Sequence, residues 1–231
     1  FRREYGCEFL VYDETLINSI KLSSLEGVDP VMNMGQTRWY GKPNGTNTYV
    51  VALDPAMGTG GDFAAIQVFE LPTYKQIAEW RHNTTPIPAQ IRILKDICNY
   101  IKECCSNDGQ NIYWSVENNS IGEGALIVIR DMGEENIPGM CVSEPIRKGH
   151  VRKFRKGFNT THSTKISACT RLKNMVENDK LTINSKVLVS ELKAFVASGS
   201  SFKAKPGETD DLVSACLLSM RIMAVLKDWD P

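Results

Sequence analysis

The sequence predicts an α/β fold, a mixed central sheet with helices on both faces, and three stretches predict it. Val50, Val51, Ala52 and Leu53 form a continuous apolar run that stops on Asp54, as a strand covered on both faces does. Ile91, Leu94, Ile97, Cys98 and Ile101 recur at helical spacing and lead to a second strand-like run, residues 111–116. After Asp211 nearly every residue is apolar, including Leu212, Val213, Ala215, Cys216, Leu217, Met220, Ile222, Met223 and Leu226, so the last helix must be deeply buried.

The 231 residues suffice for one generous core. Lys plus Arg equals Asp plus Glu at 27 each, so total charge says nothing about partners and local charge has to be read instead. Seven cysteines, odd in number and without zinc-like spacing, read as the reduced thiols of a cytosolic protein. No apolar run approaches a membrane span, and the amino end does not read as a signal peptide. A chain opening on Phe1 is expected to be part of a longer protein.

Taken in order, residues 1–44 are expected to be an extension or linker, with a strand in 4–16 and a loop rich in Gly, Asn, Thr and Pro in 33–48. A boundary near Gly45 then opens the main domain, 45–231. Its first strand ends at Asp54. Glycines 58, 60 and 61 turn the chain into a second strand, 63–71, and Pro72-Thr73 into a third, 75–81. Pro86 opens a helix running to about Cys105, because proline is welcome in a first turn. This helix is a crossover, so the strand at 111–116 is expected to run parallel to the first, with a right-handed connection. It too ends on a carboxylate, Glu117.

A helix at 121–132 and a short strand at 139–142 follow. The stretch IRKGHVRKFRKGF then carries Arg147, Lys148, Arg152, Lys153, Arg155 and Lys156 with no acid among them, and Phe154 and Phe158 interleaved. Such a cluster reads either as a solvated loop or as a footprint of nucleic acid. A helix at 163–178 capped by Ser163, a strand at 181–183, a helix at 187–196 and a flexible loop at 198–207 complete the passage to the last helix. Thr209, Asp210 and Asp211 open that helix, where acids also serve as caps.

Asp54 alone has three readings: it bonds its own turn, it belongs to a phosphate loop, or it binds metal. The phosphate loop fails, since Lys-Ser/Thr is missing and a strand follows the glycines. The metal reading needs partners, and Glu117 and the Asp210/Asp211 pair supply them. Carboxylates converging on one sheet edge repel unless a cation is bound, and hard oxygen donors suit magnesium or manganese. Two such ions about 4 Å apart serve phosphodiester hydrolysis. The order β, β, β, α, β, α, β and a terminal helix bearing the last acid is what a ribonuclease H-like fold requires.

The segments LDPAMGTGGDFAA, SVENNSIGEG, KISACTRLKNMVEND, LVSELKAFV and ETDDLVSACLLSM resemble the nuclease domain of the large terminase subunit of tailed bacteriophages, the packaging motor of the T4-like group. The resemblance spans about residues 45–226, and REYGCEFL resembles the segment that closes the motor's ATPase domain. No GxxxxGK[ST] occurs, so the ATPase itself lies outside this chain. The resemblance implies a DNA endonuclease that cuts concatemeric viral DNA during genome packaging in the cytoplasm of the bacterial host. Its partners would be double-stranded DNA, the ATPase domain, the portal and the small terminase subunit. The catalytic metal ligands carry onto Asp54, Glu117 and Asp211, with Asp210 as cap or auxiliary ligand. The six basic residues are assigned to the DNA backbone, and His150 and His162 beside them are expected as phosphate neighbours. His82, after the third strand, is a candidate auxiliary group for water or phosphate. Strand-transferases and resolvases carry the same acids on the same fold and differ in joining ends. Actin-like kinases share the Asp, Gly-Thr-Gly order but need more chain, and a module that holds DNA for the motor without cutting would have no need of intact acids.

Overall fold

In the computed structural model, which describes residues 14–145 and 156–229, the run at 50–53 lies in the interior of a seven-stranded sheet. Its strand β3 (Thr48–Asp54) is flanked on one side by the antiparallel β4 (Ala64–Leu71) and on the other by β6 (Ile112–Val116), which runs parallel to it. Beyond β4 lies β5 (Lys75–His82), and beyond β6 the short parallel β7 (Met140–Cys141). The crossover from β5 to β6 is α2 (Ile87–Cys105), and α3 (Ser120–Met132) leads from β6 towards β7.

Alternation along β3 divides the interior in two. Tyr49, Val51 and Leu53 join a core with α2 and α3 that contains Trp39, Trp80 and Trp114, whereas Val50 and Ala52 face the other helices. These are α4 (His162–Glu177), α5 (Lys186–Ala194) and α6 (Asp211–Trp229), of which α6 lies against β3 and β4. Helices therefore cover both faces, as the continuous apolar run of β3 requires. No helix among the described residues is long and apolar enough to cross a membrane.

One irregularity sets which side chains face α6. The pairing of β4 with β5 shifts between Val68 and Phe69: Phe69 faces Gln76 but Val68 faces Ala78, which leaves Ile77 as the extra residue of a bulge. Past the bulge Glu79 and Arg81 lie on the α6 face, while Ala78, Trp80 and His82 lie on the α2 face.

Residues 33–48, expected as a loop, contain two strands. β1 (Met32–Met34) and β2 (Thr37–Trp39) turn at Gly35, where φ is 58°, and extend the sheet past β5. Each has three residues, too few to show alternation in the sequence, and edge pairing with Ala78 and Glu79 forms them. The packing also has no break at Gly45: Leu16, Ile17 and Leu22, the last from α1 (Ser19–Ser24), are buried in the α6-side core. The strand expected in 4–16 lies largely outside the described residues, and Thr15 makes only an isolated bridge to Val196.

The strand expected at 181–183 is likewise a single bridge, Thr182 to Lys75. Helix α5 ends at Ala194, two residues sooner than expected, because Phe195 begins β8 (Phe195–Ser198), paired with β9 (Ser201–Ala204). The expected flexible loop is thus a hairpin, held by Phe195 stacked on Phe202 with ring centroids 6.1 Å apart. Thr161, not Ser163, caps α4, in a reciprocal pair with Thr164.

A buried amide links the sheet to α5. Gln76 Oε1 accepts from the backbone N–H groups of Asn184 and Ser185, both at 2.8 Å, and Gln76 Nε2 donates to Gln67 Oε1 at 2.7 Å. Gln76→Ala leaves two buried N–H donors without partners. We expect a loss of about 3 kcal/mol or more, read as a lower urea midpoint with unchanged m-value.

Candidate active site

The three acidic stations come to one edge of the sheet. Asp54 ends β3 on the α6 face, and Glu117 follows β6 with its backbone N–H bonded to Leu53 O at 2.9 Å, which continues the parallel ladder. Asp211 opens α6. Asp54 and Glu117 are joined by a side-chain hydrogen bond. The Asp54 carboxyl is held well above the usual carboxylate range, first by burial, then by that bond and by the negative charges of Glu117, Asp211 and Asp210. Asp211 is pushed up to about 6 by burial and by Asp210 and Asp62, while Arg81 pulls the other way.

Among the described residues no three His, Cys, Asp or Glu side chains are spaced to hold a metal ion as they stand. That spacing and the strong mutual influence of the acids describe one situation. Asp54 lies against Glu117 where a cation would otherwise separate them, and Asp211 acts on Asp54 through charge. Half-buried, repelling oxygen donors gathered at one sheet edge are a donor set that fits a hard divalent cation.

Local structure holds each acid. After Asp54, Gln90 of α2 clamps the loop: its Nε2 donates to Ala56 O at 2.6 Å and to Thr85 O at 2.8 Å. Gly58, at φ 73°, presses against the same segment, where a Cβ would stand 2.2 Å from Thr85 O. Asn119 links Glu117 to the start of α3. Its Nδ2 donates to Glu117 Oε2 at 3.2 Å, and its Oδ1 accepts from Gly122 N at 2.8 Å to cap α3. Gly122 is obligatory, since a Cβ there would fall 1.8 Å from the Glu117 carbonyl oxygen. Asp210 is fixed by Ala204 N, which donates to its Oδ2 at 3.1 Å, while its own carbonyl accepts from Ser214 N.

The basic residues Arg147, Lys148, Arg152, Lys153 and Arg155, with His150, lie outside the described residues. Both ends of that stretch are placed, however. Glu144 N donates to Gly157 O at 3.2 Å, and Asn118 N donates to Phe158 O at 2.8 Å, so the chain leaves and returns beside Glu117. Lys156 is ion-paired with Glu134. His162 is bonded to Ser200 on the β8–β9 turn.

His82 is not brought to the acids. Its partner across the sheet is Ala64, on the α2 face, and its Nδ1 lies 2.7 Å from Thr85 Oγ1. Arg81 occupies the expected place instead. Asp54 pairs with Ala65, and Ala65 with Arg81, so the guanidinium shares the acids' face. Arg81 lies over the Phe63 ring, 4.5 Å from its centroid, and donates to Glu191 Oε1 at 2.6 Å and to Thr209 Oγ1 at 3.2 Å. Glu191 is only 4% exposed, and burial raises its carboxyl to about 7 against the opposing pull of Val213 N–H, Arg81 and Thr209. Arg81 and Glu191 had no signal of their own in the sequence: Arg81 meets Glu191 110 residues away and Thr209 128 residues away.

A family model described as the terminase RNase H-like domain matches residues 51–222, well over half of the chain and the whole interval from β3 to α6. The chain belongs to the terminase RNase H-like domain family. Among solved structures, this terminase domain is similar to the large terminase nuclease of thermophilic phage G20c with bound magnesium, at 17% identity and a TM-score of 0.65, covering 90% of this chain and 97% of that one. The large terminase nuclease domain of Thermus phage P74-26 gives 18% and 0.60, covering 86% and 91%. The nuclease domain of the large terminase subunit gp2 of bacterial virus Sf6, with manganese, gives 14% and 0.50, covering 89% and 98%. At these identities the likeness is one of fold, which bears out the ribonuclease H-like reading. The family model describes the terminase domain as a whole, and a narrower T4-like assignment is not part of it.

Two measurements check this geometry. Gly122→Ala should cost about 1–3 kcal/mol in urea titration by displacing Glu117. Gly124→Ala in the same helix, where the nearest atom is Ile87 Cδ1 at 3.5 Å, should be neutral or slightly stabilising. The raised carboxyls of Asp54 and Asp211 keep protons in the folded state at a pH where the unfolded chain has lost them, so their contribution to stability falls as pH rises from about 4 through 6 and beyond. In chelated buffer Asp54→Asn should therefore melt above wild type at pH 8, and this gap should shrink towards pH 5.

Proposed function

We propose that this terminase domain is a metal-dependent DNA endonuclease that cuts concatemeric viral DNA during genome packaging, with Asp54, Glu117 and Asp211 as the ligands of its divalent ions. The observation carrying this reading is that Asp54, at the end of the central strand, is hydrogen-bonded to Glu117 and raised by the charges of Asp211 and Asp210. Four acids so placed are unfavourable without a cation. Magnesium or manganese, both held by relatives of the same fold, supplies the Lewis acidity for hydrolysing a phosphodiester.

The protein's own residues supply position. Asp54 and Glu117 project from adjacent parallel strands whose register is fixed by the Leu53–Val116 pairing, so their spacing belongs to the sheet and not to a loop. Asn119 orients the Glu117 carboxylate from the cap of α3. Asp211 approaches from the opposite side on α6, while Asp210, engaged with Ala204 N, serves as cap and auxiliary ligand. The basic stretch reaches the DNA backbone from its two anchors beside Glu117, and phosphate contacts of this kind confer little base preference. In the intact motor the domain works with the ATPase domain, the portal and the small terminase subunit, in the cytoplasm of the infected bacterium.

The test is cleavage of supercoiled plasmid with magnesium or manganese. Wild type should nick and linearise it, chelation should stop the reaction, and Asp54→Asn should lower the rate by at least about 1,000-fold while binding DNA within a few-fold of wild type. Cutting by Asp54→Asn at the wild-type rate would remove Asp54 from the site.

A further inference from the structure

The amino end of α6 is held by a group from another helix. Val213, in the first turn of α6, donates its N–H to Glu191 Oε2 at 3.1 Å. The other oxygen of the same carboxylate receives Arg81 Nη1 at 2.6 Å and Thr209 Oγ1 at 3.1 Å, and Arg81 also reaches Thr209 at 3.2 Å. One side chain of α5 thus ties together β5, the residues leading into α6 and α6 itself.

Capping alone does not explain this choice. A serine, threonine or asparagine at the helix start would satisfy a first-turn N–H, as Asn119 does for α3 and Thr161 for α4. Burying a carboxylate within reach of the Asp211 charge works against stability, and an ion pair in its place is no better than apolar packing for that purpose. What the ion pair adds is registry. Arg81 belongs to the cross-strand row Asp54, Ala65, Arg81, so the end of α6 is referenced to the strand that carries Asp54. Ala204 N on Asp210 holds the opposite side, and Asp211 lies in the turn between these two restraints.

We propose that Glu191, locked by Arg81 and Thr209, is a positioning residue that sets Asp211 against Asp54 and so determines how tightly the acids bind a divalent ion. This rests on the reading of those acids as metal ligands. A residue that merely stabilised the fold would, when removed, lower the melting temperature and leave the affinity of the folded protein for metal unchanged. A positioning residue changes that affinity.

The experiment is calorimetric titration of Mn2+ into wild type, Glu191→Ala, Thr209→Val and Asp54→Asn, beside DNA binding in chelated buffer. Wild type should bind Mn2+ and Asp54→Asn should not. Glu191→Ala should bind it about tenfold or more weakly, as expected when the support of the turn that carries a ligand is lost, with DNA affinity within about twofold. The Mn2+ concentration for half-maximal cutting should rise in parallel. Thr209→Val keeps the side-chain shape and decides the matter if Glu191→Ala does not fold; about threefold weaker Mn2+ binding is expected of it. Folded variants that bind Mn2+ as wild type does, while Asp54→Asn does not, overturn the role of Glu191 alone. Absence of Mn2+ binding by wild type overturns the ligand reading as well.

Discussion

The repulsion between carboxylates at the ends of β3 and β6 is the constraint on which the rest of this structure is built. Asp54 and Glu117 are one ladder step apart on adjacent parallel strands, and α6 brings a third acid against them. The fold gives these groups little freedom to separate. A central strand buried on both faces has no alternative register, because a slip of one residue would turn Val50 and Ala52 into the place of Val51 and Leu53. Rigidity and repulsion together leave protonation or cation binding as the ways to relieve the site.

The supports are graded by distance from the chemistry. Asn119, Gly122 and Gln90 act on the backbone that immediately follows each strand, whereas Arg81 and Glu191 act through the end of α6. The two halves of the interior divide the work. The α2 side, with its three tryptophans, fixes the strands, and the α6 side delivers the remaining acid.

The elements that position Asp54 and Glu117 were legible in the sequence because each rests on a local signal: an apolar run stopping on an acid, a helical stripe after Pro86, a terminal helix apolar all round. What was illegible depends on partners distant in the chain. β1 and β2 are strands because an edge accepts them, and the segment 195–204 is a hairpin because Phe195 and Phe202 stack across a turn whose composition reads as a loop. Glu191 looks like one of several acids in LVSELKAFV until α6 is laid beside it. His82 was misplaced for a geometric reason. Strict alternation from Gln76, which faces α6, would put residue 82 on the acids' side, but the extra residue at Ile77 reverses the parity and presents Arg81.

That bulge gives β5 two unequal zones with respect to chain length. Loss of one residue at Ile77 would leave Ala78 onward on their partners on β4, while removing a side chain buried in the tryptophan core and the carbonyl that accepts Tyr40 N–H. The same loss between Ala78 and Arg81 would exchange guanidinium for imidazole opposite Asp54 and turn Trp80 out of its aromatic core. The four positions beyond the bulge therefore hold a fixed reading frame with the acids.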